Sequence, residues 1–109
     1  MSNETVTWHR VAKRDEVGDG DPLGVQVGDT LIGLYLLDGE IHALSNVCSH
    51  EFAVLTDGFV NGDCIECPLH AAEFDIRTGK ALSPPADEDI ATYPVKIEGD
   101  EIFVGLSDA

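Results

Sequence analysis

Two short turn signals, each next to apolar runs, constrain this fold more than any other feature of the chain. Asp38-Gly39 follows the apolar run Leu31 to Leu37, and Gly99-Asp100 follows Val95 to Ile97. A two-residue Asp-Gly or Gly-Asp turn joins antiparallel strands, because glycine takes positive φ freely and aspartate tolerates it. With Asp38-Gly39 as the turn, Leu37 pairs with Glu40, Leu36 with Ile41 and Leu34 with Ala43, which puts the apolar partners on one face. The second turn pairs Ile97 with Ile102 and Val95 with Val104. Thr5 to Val11 reads as a further short strand, with Trp8 packed in the core or at a sheet edge. No window carries an apolar period of 3.6 residues. The expectation is an all-β, antiparallel fold with a β-sandwich-like base.

Length and charge narrow the function. With 109 residues, one domain spanning 1–109 is expected. Acids outnumber bases 21 to 6, a net charge of −15. That charge excludes ordinary nucleic-acid binding and disfavours an anionic membrane surface. It favours docking on basic partners and a monomer. No apolar run approaches the ~20 residues of a membrane span. Met1 to Arg14 shows no signal-peptide pattern, so the cytoplasm is the expected location. Three cysteines are an odd count and too few for a disulfide scaffold.

The segment from Asn46 to about Pro85 differs in kind. It holds all three cysteines and reads as loops and short strands carried on the β scaffold. Ser83-Pro84-Pro85 reads as a rigid, extended loop, and Asp87-Glu88-Asp89 as a solvated one. Gly58 and Gly62 read as turn residues, and Arg77-Thr78-Gly79-Lys80 as a turn. Cys64 reads as a small core-facing residue on a strand leading to Cys67, rather than half of a redox motif. His42, opposite Tyr35 in the first hairpin, reads as part of a surface strand pair.

The chemistry lies in Cys48-Ser49-His50 and Cys67-Pro68-Leu69-His70. Two thiolates and two imidazoles make four ligands for a first-row metal. A zinc finger usually takes a pair of cysteines from one turn and a pair of histidines from another. Here each loop supplies one of each, which suits two metal ions with different ligands. A zinc-stabilised interaction module with the same four ligands stays open on the spacing.

These motifs resemble the Rieske [2Fe–2S] signature. Glu73-Phe74-Asp75, Thr78-Gly79-Lys80 and Ser83-Pro84-Pro85-Ala86 are similar to the downstream segment of soluble Rieske ferredoxins, and the likeness runs from about Leu31 to Leu106. The resemblance implies one [2Fe–2S] cluster, with Cys48 and Cys67 on the inner iron and His50 and His70 on the outer, more exposed one. It implies a cluster-binding subdomain at about 46–85, covered by the proline loop and Phe74. Neutral histidines in place of thiolates raise the potential, to about −150 to +300 mV. Respiratory members carry a bridging cysteine pair where this chain has Ala53 and Leu69, and hydroxyl donors where it has Ala72 and Phe74. Their absence implies a potential low in that range.

The likeness is greatest to ferredoxin components of bacterial aromatic-ring-hydroxylating dioxygenase systems. It implies an electron carrier, not an enzyme alone, moving single electrons from an NAD(P)H-dependent flavin reductase to a terminal oxygenase. The small subunit of an assimilatory nitrite reductase is the alternative. Six acids between Asn46 and Ile76 (Glu51, Asp57, Asp63, Glu66, Glu73 and Asp75), with no Lys or Arg, form an acidic collar that would steer the carrier to basic partners.

Overall fold

A computed structural model of the chain describes residues 6–47, 54–68, 72–82 and 89–107. Among these, ten strands form three antiparallel sheets. The first is ordered β1 (Val6–Lys13), β10 (Glu101–Ser107), β9 (Val95–Glu98). The second is ordered β2 (Leu23–Val27), β3 (Thr30–Leu37), β4 (Glu40–Ser45), β8 (Thr92–Tyr93). The third, β5 (Phe59–Asn61), β6 (Cys64–Glu66) and β7 (Glu73–Asp75), comes entirely from the cysteine-bearing segment.

Both expected hairpins form in the expected register. Leu37 faces Glu40, Leu36 faces Ile41 and Leu34 faces Ala43 across Asp38-Gly39. Ile97 faces Ile102 and Val95 faces Val104 across Gly99-Asp100. Asp38 at φ 51° and Gly39 at φ 81° are both left-handed, as a turn matched to strand twist requires. Two further two-residue turns, with only the glycine at positive φ, pair expected strands with ones not expected from the sequence. Gly28-Asp29 links β2 to β3, and Gly62-Asp63 links β5 to β6. The strand at Leu23–Val27 is the corresponding omission. Its signal is the alternation of Leu23, Val25 and Val27 ahead of Gly28-Asp29.

The middle sheet is buried on both sides. Ile32, Leu34, Ile41 and Ala43 face the first sheet, where they meet Ala12, Ile102 and Val104. Tyr35, Leu37 and Leu44 project the other way and join Leu55, Ile65 and Phe74 beneath the third sheet. β3 is therefore the shared wall of two cores, and its near-continuous apolar sequence is that of a strand covered on both faces. The apolar partners Leu36–Ile41 and Leu34–Ala43 share one face as expected, and the opposite face is apolar as well.

Burial on both sides corrects the reading of Tyr35 and His42 as a surface pair. They do face each other, but Tyr35 is 1% exposed. Neither the Tyr35 hydroxyl nor His42 Nε2 has a hydrogen-bond partner among the described residues. Glu40 Oε1 lies 3.8 Å from His42 Nε2, too far for a hydrogen bond. Burial pushes the Tyr35 phenol pKa up, holding it neutral. Trp8 sits half-buried on the edge strand β1, against Gly105 and under the Lys96 ammonium, 4.8 Å from its ring centroid.

An unpaired buried hydroxyl carries a desolvation penalty of about 1–3 kcal/mol with no bond to offset it. Tyr35→Phe is therefore expected to leave the unfolding free energy unchanged or raise it by about 1 kcal/mol, read by denaturant titration. A loss of more than about 1 kcal/mol contradicts this account of Tyr35.

Candidate metal centre

Strand β4 ends at Ser45, and the next residue anchors the chain on its way into the first ligand segment. Asn46 is buried, at 4% exposure. Its backbone N–H donates to Leu31 O (2.9 Å), and its carbonyl accepts from Leu55 N (3.0 Å). Its side-chain Oδ1 accepts from Thr56 N and its Nδ2 donates to Thr56 Oγ1, both at 2.9 Å. Val47 then bridges to Val54. The chain thus leaves β4 and returns at a fixed pair of points, with 48–53 between them.

The second segment is closed in the same way. Cys67 N donates to Ala72 O at 2.7 Å, directly beyond the Glu66–Glu73 pair that ends β6 and begins β7. The flanks of 83–88 are also fixed. Leu82 N donates to Glu73 O (2.8 Å) and Ala81 N to Asp89 Oδ1 (2.9 Å). Gly58 brings the first two closures together. A Cβ there would overlap the Glu66 carbonyl oxygen and press on Pro68 Cδ. Its role is close backbone approach rather than a left-handed turn. Gly62, at φ 63°, is a turn residue as expected.

Of the four expected ligands, Cys67 falls among the described residues. Cys48, His50 and His70 lie outside them, as do Ser49, Ala53, Leu69 and Ser83 to Ala86. Among the described residues, no three or more His, Cys, Asp or Glu are grouped to hold a metal. Cys67 is 1% exposed and packed in the core with Ala72 and Phe74. A thiolate buried there needs a positive partner, and iron fits that donor. Ala72 and Phe74 are both fully buried and carry no hydroxyl.

Cys64 departs from its reading. It lies on β6 as expected, but Ile65 is the residue that faces the core. Cys64 projects from the opposite, partly exposed face. Burial pushes its thiol pKa up, and the neighbouring Glu73, Asp75 and Asp63 carboxylates push it further. Arg77-Thr78-Gly79-Lys80 is a turn, held by Asp75 Oδ1 accepting from the Arg77 and Thr78 amides. The Arg77 guanidinium spans Asp38 (2.7 Å) and Asp63 (3.0 Å), linking the β3–β4 turn to the β5–β6 turn. Asp63 is thus matched by a cation, and the acidic collar is weaker there than its sequence implies.

A family model for the Rieske [2Fe-2S] domain matches residues 7–94. The chain belongs to the Rieske [2Fe–2S] family. Its cofactor is a Rieske-type [2Fe–2S] cluster, which sets aside the zinc-stabilised module. The chain is 47% identical over 102 residues to the ferredoxin component of the naphthalene 1,2-dioxygenase/salicylate 5-hydroxylase systems of a Ralstonia species, covering 94% of this chain and 98% of the relative. It superposes on the ferredoxin of Sphingomonas yanoikuyae B1 with a TM-score of 0.88 at 38% identity, covering 92% of this chain and 99% of that one. A ferredoxin solved in complex with the oxygenase of carbazole 1,9a-dioxygenase matches with a TM-score of 0.83 at 28% identity, covering 89% and 91%. Among the described residues, no helix is long and apolar enough to cross a membrane.

If Asn46 and Gly58 hold the two closures, changing either should open the site. Asn46→Ala strands the Thr56 amide and is expected to lose about 1–3 kcal/mol of stability. Gly58→Ala is expected to separate the two segments. Both variants should purify with less iron and sulfide per chain and weaker visible absorption. Full iron content together with wild-type stability in either variant contradicts this role.

Proposed function

We propose that this chain is the electron-carrying component of a ring-hydroxylating dioxygenase system, working between a flavin-dependent ferredoxin reductase and a terminal oxygenase. The observation that carries the reading is the likeness to a dioxygenase ferredoxin over nearly the full length of both chains. The closure of two ligand-bearing segments side by side supports it.

Cys48 and Cys67 hold the inner iron in this reading, and His50 and His70 hold the outer one. The whole of 1–109 is one domain, with the cluster-binding part at about 46–85. The cluster, when bound, takes up and releases one electron. The protein's own residues set the conditions for that exchange. The core around Cys67 excludes water from the thiolate end. Ala72 and Phe74 offer that end no hydroxyl donor, which keeps the potential low in the Rieske range. The imidazoles of His50 and His70 form the outlet. The acids Asp57, Glu66, Glu73 and Asp75 give the surrounding surface a negative field that speeds encounter with basic partners. A monomeric, cytoplasmic carrier suits small and short-lived interfaces.

Reconstitution with the reductase and oxygenase of a naphthalene dioxygenase system tests this. Turnover of the oxygenase with NADH is expected to require this chain, to fall to background with His50→Ala or His70→Ala, and to slow as salt rises. Turnover that ignores the chain, or survives either substitution, contradicts the proposal.

A further inference from the structure

The outward face of the third sheet is unlike the rest of the described surface, and pairing fixes its members. Phe59 faces Glu66, and Glu66 faces Glu73. Leu82 lies next in line, bonded through its amide to Glu73 O beside the Phe74–Ala81 bridge. Directly opposed residues in antiparallel strands project from the same side. Phe59, Glu66, Glu73 and Leu82 therefore form one transverse row, out of phase with Ile65 and Phe74, which fill the core. At a strand spacing of ~4.8 Å, the row is about 14 Å across.

Phe59 is 65% exposed and Leu82 47%, the highest values among the large hydrophobics described. They bracket two half-buried carboxylates. Single exposed apolar residues need no explanation, but here two of them flank a pair of carboxylates on one row. The row also borders the Cys67–Ala72 closure, from which the segment carrying His70 departs.

Resting on the electron-carrier reading above, we propose that this row is the docking face for the terminal oxygenase. Phe59 and Leu82 would be the apolar anchors, and Glu66 would meet Lys or Arg on the partner, beside Glu73, which accepts from Asn61 Nδ2 (3.2 Å). Charge complementarity argues for this occupant. A chain of net charge −15 needs a cationic surface opposite it, and anchors on either side of the acids hold such a surface in register. The related ferredoxin solved in complex with its oxygenase establishes that a protein of this fold docks on that class of partner.

Stopped-flow mixing of the reduced holoprotein with the oxygenase of a naphthalene dioxygenase system tests the face. Phe59→Ser with Leu82→Ser is expected to lower the second-order rate about tenfold, with reduction by the reductase changed less than about twofold. Glu66→Gln is expected to flatten the salt dependence of the oxygenase reaction. Ile97→Ser, at a residue 39% exposed on the remote strand β9, should leave both rates unchanged. An unaltered visible spectrum and potential in each variant show the cluster intact. An unchanged oxygenase rate overturns the proposal, and so does a loss confined to the reductase, which would assign the row to that partner. Wild-type protein that delivers no electrons to the oxygenase at all overturns the carrier reading itself.

Discussion

The register of the β3–β4 hairpin is the constraint on which the rest of the structure depends. β3 is buried on both sides, so each of its side chains belongs to one of two cores. A slip of one residue would exchange them all, driving Tyr35 and Leu37 against the first sheet and Ile32 and Leu34 under the third. The left-handed pair Asp38-Gly39 prevents the slip at one end of the hairpin. At the other end, the Asn46 amide bonds to Leu31 O and carries the same register into the cluster-binding part of the chain. Arg77 joins the turn of this hairpin to the β5–β6 turn, so the turn end of the hairpin is tied to the small third sheet.

That arrangement explains how short strands can present a metal centre. β5, β6 and β7 have three residues each and could not hold their shape alone. They rest on the far face of β3 and β4 through Ile65 and Phe74, and close backbone packing at Gly58 holds the Leu55–Gly58 turn against Glu66 and Pro68. Cys67 lies buried in the core beneath these strands. The apolar surroundings there disfavour a lone thiolate, and a bound iron would offset that cost. The outward side of the same strands carries the opposite composition, with carboxylates between exposed apolar residues.

Much of this is legible in the chain itself, for identifiable reasons. The two hairpin registers follow from turn chemistry and apolar pairing, which are local. The motifs around Cys48, His50, Cys67 and His70 are specific because four donors in two matched clusters seldom arise by chance. The features that escape a sequence reading are decided by distant contacts. Nothing near Tyr35 in sequence announces that a second core, assembled from Leu55, Ile65 and Ile76, will cover it. Cys64 reads as a core residue because the sequence locates β6 but not its phase. The pairing of β1 with β10, close to a hundred residues apart, has no local signal at all. Gly58 looks like a turn residue, yet its requirement comes from the carbonyl of Glu66, which only the folded chain brings near.

The central claim is that two thiolates hold one iron and two imidazoles the other, with the electron entering and leaving at the imidazole end. Neutral imidazole donors stabilise the ferrous state better than thiolates do, so the added electron should settle on that iron. Mössbauer spectra of the protein loaded with isotopically enriched iron, taken before and after one-electron reduction, test this most directly. Two inequivalent iron sites of equal weight are expected, with one becoming ferrous on reduction and the other staying ferric. Equivalent irons, a delocalised pair or a single iron per chain would contradict that assignment.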